Sequence, residues 1–176
     1  KFDYHFEDVN ILKLIEGVIQ GAELEAKERG IRIVYPRPLR KELRLVADPD
    51  RLTVALANLL DNAISYSLPK SRVGITLERK GDYLYVRIQD HGIGIPEDAK
   101  DKIFTRFYRA QNALRTKNEG TGLGLFIARN IIRRHGGAVW FVSEEGKGAT
   151  FFFTLPLRRD LIPEKEPTLE EFVSAI

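Results

Sequence analysis

Along residues 10–29, apolar Ile11, Ile15, Val18 and Ala22 recur at i, i+4, i+7 and i+11 with Leu14 and Ile19 beside them, and Gly30 closes the run. That spacing predicts an amphipathic helix with a glycine stop. Ile31, Ile33 and Tyr35 alternate with Arg32 and Val34 ahead of Pro36 and Pro38, which predicts a short strand and a loop behind it. Residues 43–46 predict another strand. Asp48 offers a side-chain acceptor to unpaired helix amides, and Pro49 supplies the fixed φ of a first helical position, so a second helix is expected from here to about Ser67. Val73, Ile75 and Leu77 share one face, as do Leu84, Val86 and Ile88, and Lys80-Gly81-Asp82 turns the chain between them into an antiparallel hairpin. Residues 96–119 are mostly polar and highly charged, briefly apolar at Ile103, Phe104 and Phe107, so one short helix and a mobile loop are expected.

A third long helix follows over 123–135, with Leu123, Ile127 and Ile131 on one stripe and Gly136-Gly137 to end it. Two strands, 138–143 and 149–155, are joined by Glu144-Glu145-Gly146-Lys147-Gly148 and stopped by Pro156. The order α-β-β-α-β-β-α-β-β predicts the α+β class: a two-layer sandwich whose mixed, mainly antiparallel sheet is covered by helices on one face. One domain is expected over 10–157. Residues 158–176 predict a linker, carrying Pro163 and Pro167, and a short terminal helix opened by a Thr168/Glu171 capping box.

The 176 residues are 43% apolar and 30% charged, an ordinary globular balance that excludes a wholly disordered or fibrous chain. With no cysteine, disulfides and thiolate chemistry are excluded, and His5, His91 and His135 are too far apart in sequence to suggest a zinc site. A net charge of +3, from 28 basic and 25 acidic residues, makes no polybasic surface, so no nucleic-acid partner is expected. The longest apolar run, 149–155, is interrupted by Thr150 and Thr154 and falls far short of the roughly 20 residues of a membrane span, so no membrane contact is expected. The charged, aromatic N-terminus does not resemble a signal peptide, and the chain reads as the middle of a longer one.

Three segments carry candidate chemistry. In Asp90-His91-Gly92-Ile93-Gly94-Ile95-Pro96, a carboxylate at a strand end precedes two glycines that let backbone approach a ligand; alone, the same residues also describe a glycine-rich turn. Gly120-Thr121-Gly122-Leu123-Gly124-Leu125 opens the third long helix, where free amides and the dipole favour phosphate. Neither GxGxxG in a βαβ unit nor GxxxxGK[ST] occurs, which excludes the Rossmann and P-loop readings. Asn58 and Asn62 lie four apart on one helix face, as a pair of capping side chains or as oxygen ligands suited to Mg²⁺.

The order Asn58-Leu59-Leu60-Asp61-Asn62-Ala63, DxGxG, Ile103-Phe104-Thr105-Arg106-Phe107-Tyr108-Arg109, GTGLGL and His135-Gly136-Gly137 resembles the ATP-binding catalytic domain of sensor histidine kinases, over about residues 10–157. The resemblance implies the Bergerat ATP-binding fold, with ATP and Mg²⁺ as cofactors. Carried over by position, it implies Asn62 as the Mg²⁺ ligand, Asn58 beside the phosphates, Asp90 as acceptor for the adenine amino group, and Tyr66 flanking the base. Gly92, Gly94 and Ile95 would line the pocket, while Gly120, Thr121, Gly122, Leu123 and Gly124 would form the hinge and phosphate cradle beneath a lid over 110–119. Arg109 would reach the phosphates, whose transfer depends on positioning and charge neutralisation.

Two departures stand out. Many relatives carry Lys or Arg three residues after the Mg²⁺-binding asparagine; Ser65 stands there, leaving phosphate contacts to Arg109 and to Arg115 or Lys117. Hydrolysing relatives place a glutamate base four residues before that asparagine, and Asn58 cannot take a proton from water, which favours transfer over hydrolysis. None of the three histidines has the acidic, helical setting of the family's phosphoacceptor. His5 reads as an exposed linker residue within 1–9, the exit from a dimerisation domain, and His135 as a helix end whose partial positive charge suits the dipole. The implied partners are that histidine-bearing dimerisation domain and a response-regulator receiver, and the implied location is cytoplasmic. The alternatives are an autonomous ATPase or serine kinase of the same superfamily, and a non-catalytic nucleotide-binding interaction module.

Overall fold

The computed structural model describes residues 4–36, 42–117 and 120–164. The chain runs β1 (Glu7–Asn10), α1 (Ile11–Glu28), β2 (Arg32–Val34), β3 (Arg44–Ala47), α2 (Pro49–Tyr66), β4 (Arg72–Lys80) and β5 (Tyr83–Gln89). It continues through a 3₁₀ turn (Glu97–Ala99), α3 (Gln111–Thr116), α4 (Gly124–Arg134), β6 (Val139–Glu144) and β7 (Gly148–Pro156) to a second 3₁₀ turn, Arg159–Leu161. Five strands form one sheet in the order β2-β4-β5-β7-β6, and only the β2–β4 pair is parallel. This is the mixed, mainly antiparallel α+β sandwich that the pattern predicts.

The helix boundaries follow from their caps. The Asn10 side chain accepts from Leu12 N–H, and Asp48 Oδ1 accepts from Arg51 N–H at 3.0 Å, so each helix starts one residue after its acceptor. Gly30 ends α1 at φ 68°, where Ile31 N–H can reach back to Ala26 O at 2.7 Å. The core lies between sheet and helices: Val73 and Ile75, Leu84 and Val86, and Phe151 and Phe153 bury against Leu52, Leu59, Leu60 and Ile132. Each such fully buried side chain contributes about 1.5–3 kcal/mol. Across the sheet, away from the helices, Trp140 stacks on Phe152 at 5.5 Å and meets Tyr85 edge-on at 6.1 Å.

The structure departs from the sequence-based expectation in three places. Residues 7–9, expected as linker, and Asn10 form β1, which pairs antiparallel with β3 in a separate two-stranded sheet; Val9 alone gives that strand a buried side, too little for a visible alternation. The 96–119 segment holds a 3₁₀ turn and α3, not a single short helix; α3 buries no residue, so no apolar stripe marks it. His135 is only 1% exposed, and burial pushes its imidazole below the ordinary 6.5, so it is a neutral C-cap and not a cationic one. The expected terminal helix from Thr168 lies outside the described residues.

Candidate functional site

The strand β5 ends at Gln89, and the next residue, Asp90, is buried beneath a turn stitched to α2 on one side and to the β6–β7 connection on the other. On the α2 side, Ile93 N–H donates to Tyr66 O at 3.1 Å, and Leu68 N–H to His91 O at 3.2 Å. Gly92 is obligatory there, because a Cβ would lie 2.0 Å from Tyr66 O. On the other side, Gly146 N–H donates to Ile93 O at 2.7 Å, and Ile95 N–H to Ser143 Oγ at 2.9 Å.

Asp90 Oδ1 accepts two backbone N–H donors, Gly92 and Ala149, both at 3.0 Å. Both protein hydrogen bonds therefore fall on one oxygen, leaving Oδ2 as an acceptor toward the cleft that Asp90 lines. Burial pushes this carboxyl up to about 6, against the two N–H donors and His91, which pull it down. It remains mostly ionised at neutral pH.

The cleft has a volume of about 280 Å³ and lies between α2, the Asp90 turn and the start of α4. From α2 it receives Asn58, Asn62 and Tyr66, together with Asp61 and Ser65. Gly94 and Ile95 line it from the turn, and Ile103, Leu125 and Phe151 supply apolar wall. Its far side is Arg109, Gly120, Thr121, Gly122 and Gly124. Of the residues expected here, Gly92 and Leu123 stand just behind the lining, as backbone support and as the N-cap of α4.

The start of α4 has no side-chain cap, so its first amides are left for a ligand. Its approach is fixed by Gly122, at φ 69°, whose carbonyl accepts Phe107 N–H at 3.0 Å. Gly124 brings the helix against Asn58: a Cβ there would stand 3.2 Å from Asn58 Oδ1. Arg109 turns its guanidinium onto backbone, donating to the carbonyls of Lys117 and, at 3.4 Å, Gly120.

The arrangement fits a Mg-nucleotide. Asn62 and Asn58 are amide oxygen donors one turn apart, and no cluster of three His, Cys, Asp or Glu that could cage a metal exists among the described residues. A cation held by so few protein oxygens must bring phosphate and water ligands with it, as Mg²⁺ does.

The sequence pattern did not single out Asn112, whose Nδ2 donates to Gly94 O at 3.0 Å and ties α3 to the Asp90 turn. Nor did it mark Tyr108 or Ala113 as part of the wall. A lone amide in a polar, short-helix segment carries no periodic signal by which to find it.

Residues 47–159 match the family of histidine kinase-, DNA gyrase B- and HSP90-like ATPases. The sensor histidine kinase WalK of Bacillus subtilis is 38% identical over 162 residues, 90% of this chain but 26% of that protein. The WalK sensor kinase of Staphylococcus haemolyticus is 38% identical over 153 residues, 85% of this chain and 24% of its own length. The chain thus spans about a quarter of these relatives. The catalytic domain of histidine kinase ThkA superposes with a TM-score of 0.76 at 33% identity, covering 89% of this chain and 99% of that one. The mycobacterial sensor histidine kinase MprB gives 0.73 at 26%, covering 88% and 99%. No helix among the described residues is long and apolar enough to cross a membrane. The chain belongs to the histidine kinase-, DNA gyrase B- and HSP90-like ATPase family, in its sensor histidine kinase branch.

Proposed function

We propose that the chain binds Mg-ATP and transfers its γ-phosphoryl group to a histidine on a separate helical dimerisation domain, for relay to a response-regulator aspartate. The observation that carries this reading is the single cleft in which one open carboxylate oxygen, two amide ligands and an uncapped helix start converge. Asp90 Oδ2 accepts from the adenine amino group, and Tyr66, Ile95 and Phe151 provide apolar surface for the base. The polyphosphate extends toward the α4 amides, where helix partial charge favours an anion. Asn62 would hold Mg²⁺, with Asn58 beside it, and the ion would supply positive charge to offset the phosphates.

The remaining chemistry is positioning. The acceptor imidazole nitrogen bonds to the γ-phosphorus, the bond from that phosphorus to the bridging oxygen breaks, ADP leaves with the electron pair, and the imidazole proton passes to solvent. Asn58 has no proton affinity near neutral pH, so nothing at that position activates water and ATP is spared hydrolysis. A domain that draws on ATP and carries no cysteine suits the cytoplasm.

The test supplies the chain with γ-labelled ATP and a separately purified dimerisation domain bearing the acceptor histidine. An acid-labile, base-stable label on that histidine, lost with Asp90→Asn and Asn62→Ala variants that still fold, is expected. Free phosphate release without the acceptor would instead establish an ATPase, and ATP binding with neither histidine label nor phosphate release would establish the non-catalytic nucleotide-binding alternative.

A further inference from the structure

A cation reaches the cleft from the segment after α3. Lys117 Nζ donates to Ser65 Oγ at 3.2 Å across 52 residues of sequence. Ser65 is buried on α2, three residues after Asn62 and seven after Asn58, so the three share one helix stripe and all line the cleft with Lys117. The serine hydroxyl takes one of the three ammonium N–H donors, and the others remain for a ligand. The same ammonium also faces Asp61, whose carboxyl is raised by burial and by Glu25 and pulled back down by the Lys117 charge.

The Lys117 backbone is held at both ends. Its N–H caps α3 by donating to Ala113 O at 3.0 Å, and its carbonyl accepts from Arg109 Nη2. Arg109 Nη1 reaches Gly120 O at 3.4 Å, so one guanidinium brackets the segment that delivers the lysine. Arg115, the other basic residue nearby, is exposed and outside the lining.

We propose that Lys117, seated on Ser65, is the side-chain cation for the nucleotide polyphosphate, and that Arg109 is a positioning residue acting through the Lys117 backbone. This deepens the ATP reading and rests on it. A small hydroxyl at position 65 leaves room for a lysine from elsewhere to bring its charge beside the two asparagines. An ammonium is a compact point charge, suited to phosphate oxygens without the planar register that a guanidinium demands.

The experiment measures calorimetric affinities for ATP, ADP and adenosine in the wild type, Lys117→Ala, Arg109→Gln, both together, and Lys117→Ala with Ser65→Lys. Lys117→Ala is expected to weaken ATP by about tenfold or more, the scale of one charge-assisted phosphate contact. Adenosine affinity stays unchanged, and Ser65→Lys restores most of the ATP loss. If Arg109 acts through Lys117, the double variant loses no more than the larger single loss. An unchanged ATP-to-adenosine ratio in Lys117→Ala overturns the lysine assignment, and a loss that Ser65→Lys fails to restore overturns its placement beside Ser65. Additive losses overturn the role given to Arg109. A wild type that binds neither ATP nor adenosine overturns the nucleotide reading itself, an outcome distinct from the others.

Discussion

His135 Nε2 accepts the backbone N–H of Asp48 at 3.0 Å, joining the end of α4 to the start of α2 across 87 residues. Since Nε2 must be the acceptor, Nδ1 carries the proton and donates it to Ile131 O at 2.7 Å. The Asp48 carboxylate is fully engaged as well: Oδ1 caps α2 through Arg51 N–H, and Oδ2 accepts His5 N–H at 2.8 Å. Tyr4 and Phe6 pack on the His135 ring at 5.8 and 5.0 Å, with the Arg134 guanidinium over both. The incoming chain, the start of α2 and the end of α4 thus meet in one knot.

That knot makes the fold acid-sensitive. Burial lowers the His135 pKa, so its contribution to stability is complete above the ordinary 6.5 and is lost as pH falls through the folded value. His135→Ala is expected to cost about 2–4 kcal/mol at pH 7.5, from the cavity and the orphaned Asp48 N–H. Calorimetric melts at pH 7.5 and 5 check this: the wild-type Tm should fall more between them than that of the variant.

Asp90 has the opposite sign. Its carboxyl is raised from 3.8 to about 6, so stability is greatest below 3.8 and is lost as pH rises through about 6. At neutral pH the buried charge opposes folding, and Asp90→Asn is expected to stabilise the ligand-free domain by about 1–3 kcal/mol at pH 8, an advantage that disappears near pH 3.5. The same change aims amide N–H groups at the adenine amino group and should weaken ATP at least about tenfold. Thermal melts with and without ATP separate the two effects. Greater stability with retained ATP affinity would remove Asp90 from base recognition.

Much of this was legible because it repeats. Helix stripes and the β4–β5 alternation locate the core, and Asp48-Pro49 announces a helix start that the Arg51 N–H bond realises. The site residues were legible for a different reason: glycines and asparagines are costly inside elements, so their boxes stand out against an apolar background. What stayed hidden acts one residue at a time. The four-residue β1 depends on its partner β3, distant in sequence, and Asn112 on a carbonyl in another turn. The neutral His135 depends on burial that no local pattern records.

Backbone proximity at Gly92 gives a sharper expectation than its membership of a motif. A Cβ there would stand 2.0 Å from Tyr66 O, a backbone atom that cannot move without detaching α2 from the Asp90 turn. Gly92→Ala should therefore cost about 2 kcal/mol or more and lower ATP affinity together. Gly81, at φ 58° in the hairpin turn, meets nothing within 4 Å, so Gly81→Ala should cost only about 1 kcal/mol and leave ATP binding alone. Urea melts and ATP titrations on the pair distinguish crowding from mere left-handed strain.

Asn58 tests whether transfer is preferred because water goes unactivated. Its Oδ1 lies close to the start of α4, where a Cβ on Gly124 would come within 3.2 Å, so the side chain borders the region assigned to phosphate. Asn58→Glu would place there a carboxylate able to accept a proton, at the cost of repulsion with the polyphosphate. ATP affinity should fall severalfold while phosphate release per bound ATP rises by about 10²-fold, the low end for a positioned general base. Asn58→Gln, longer than asparagine but without a basic carboxylate, should not raise release. If both variants stay silent while still binding Mg-ATP, the lack of hydrolysis has another origin, such as a γ-phosphate that water cannot approach in line.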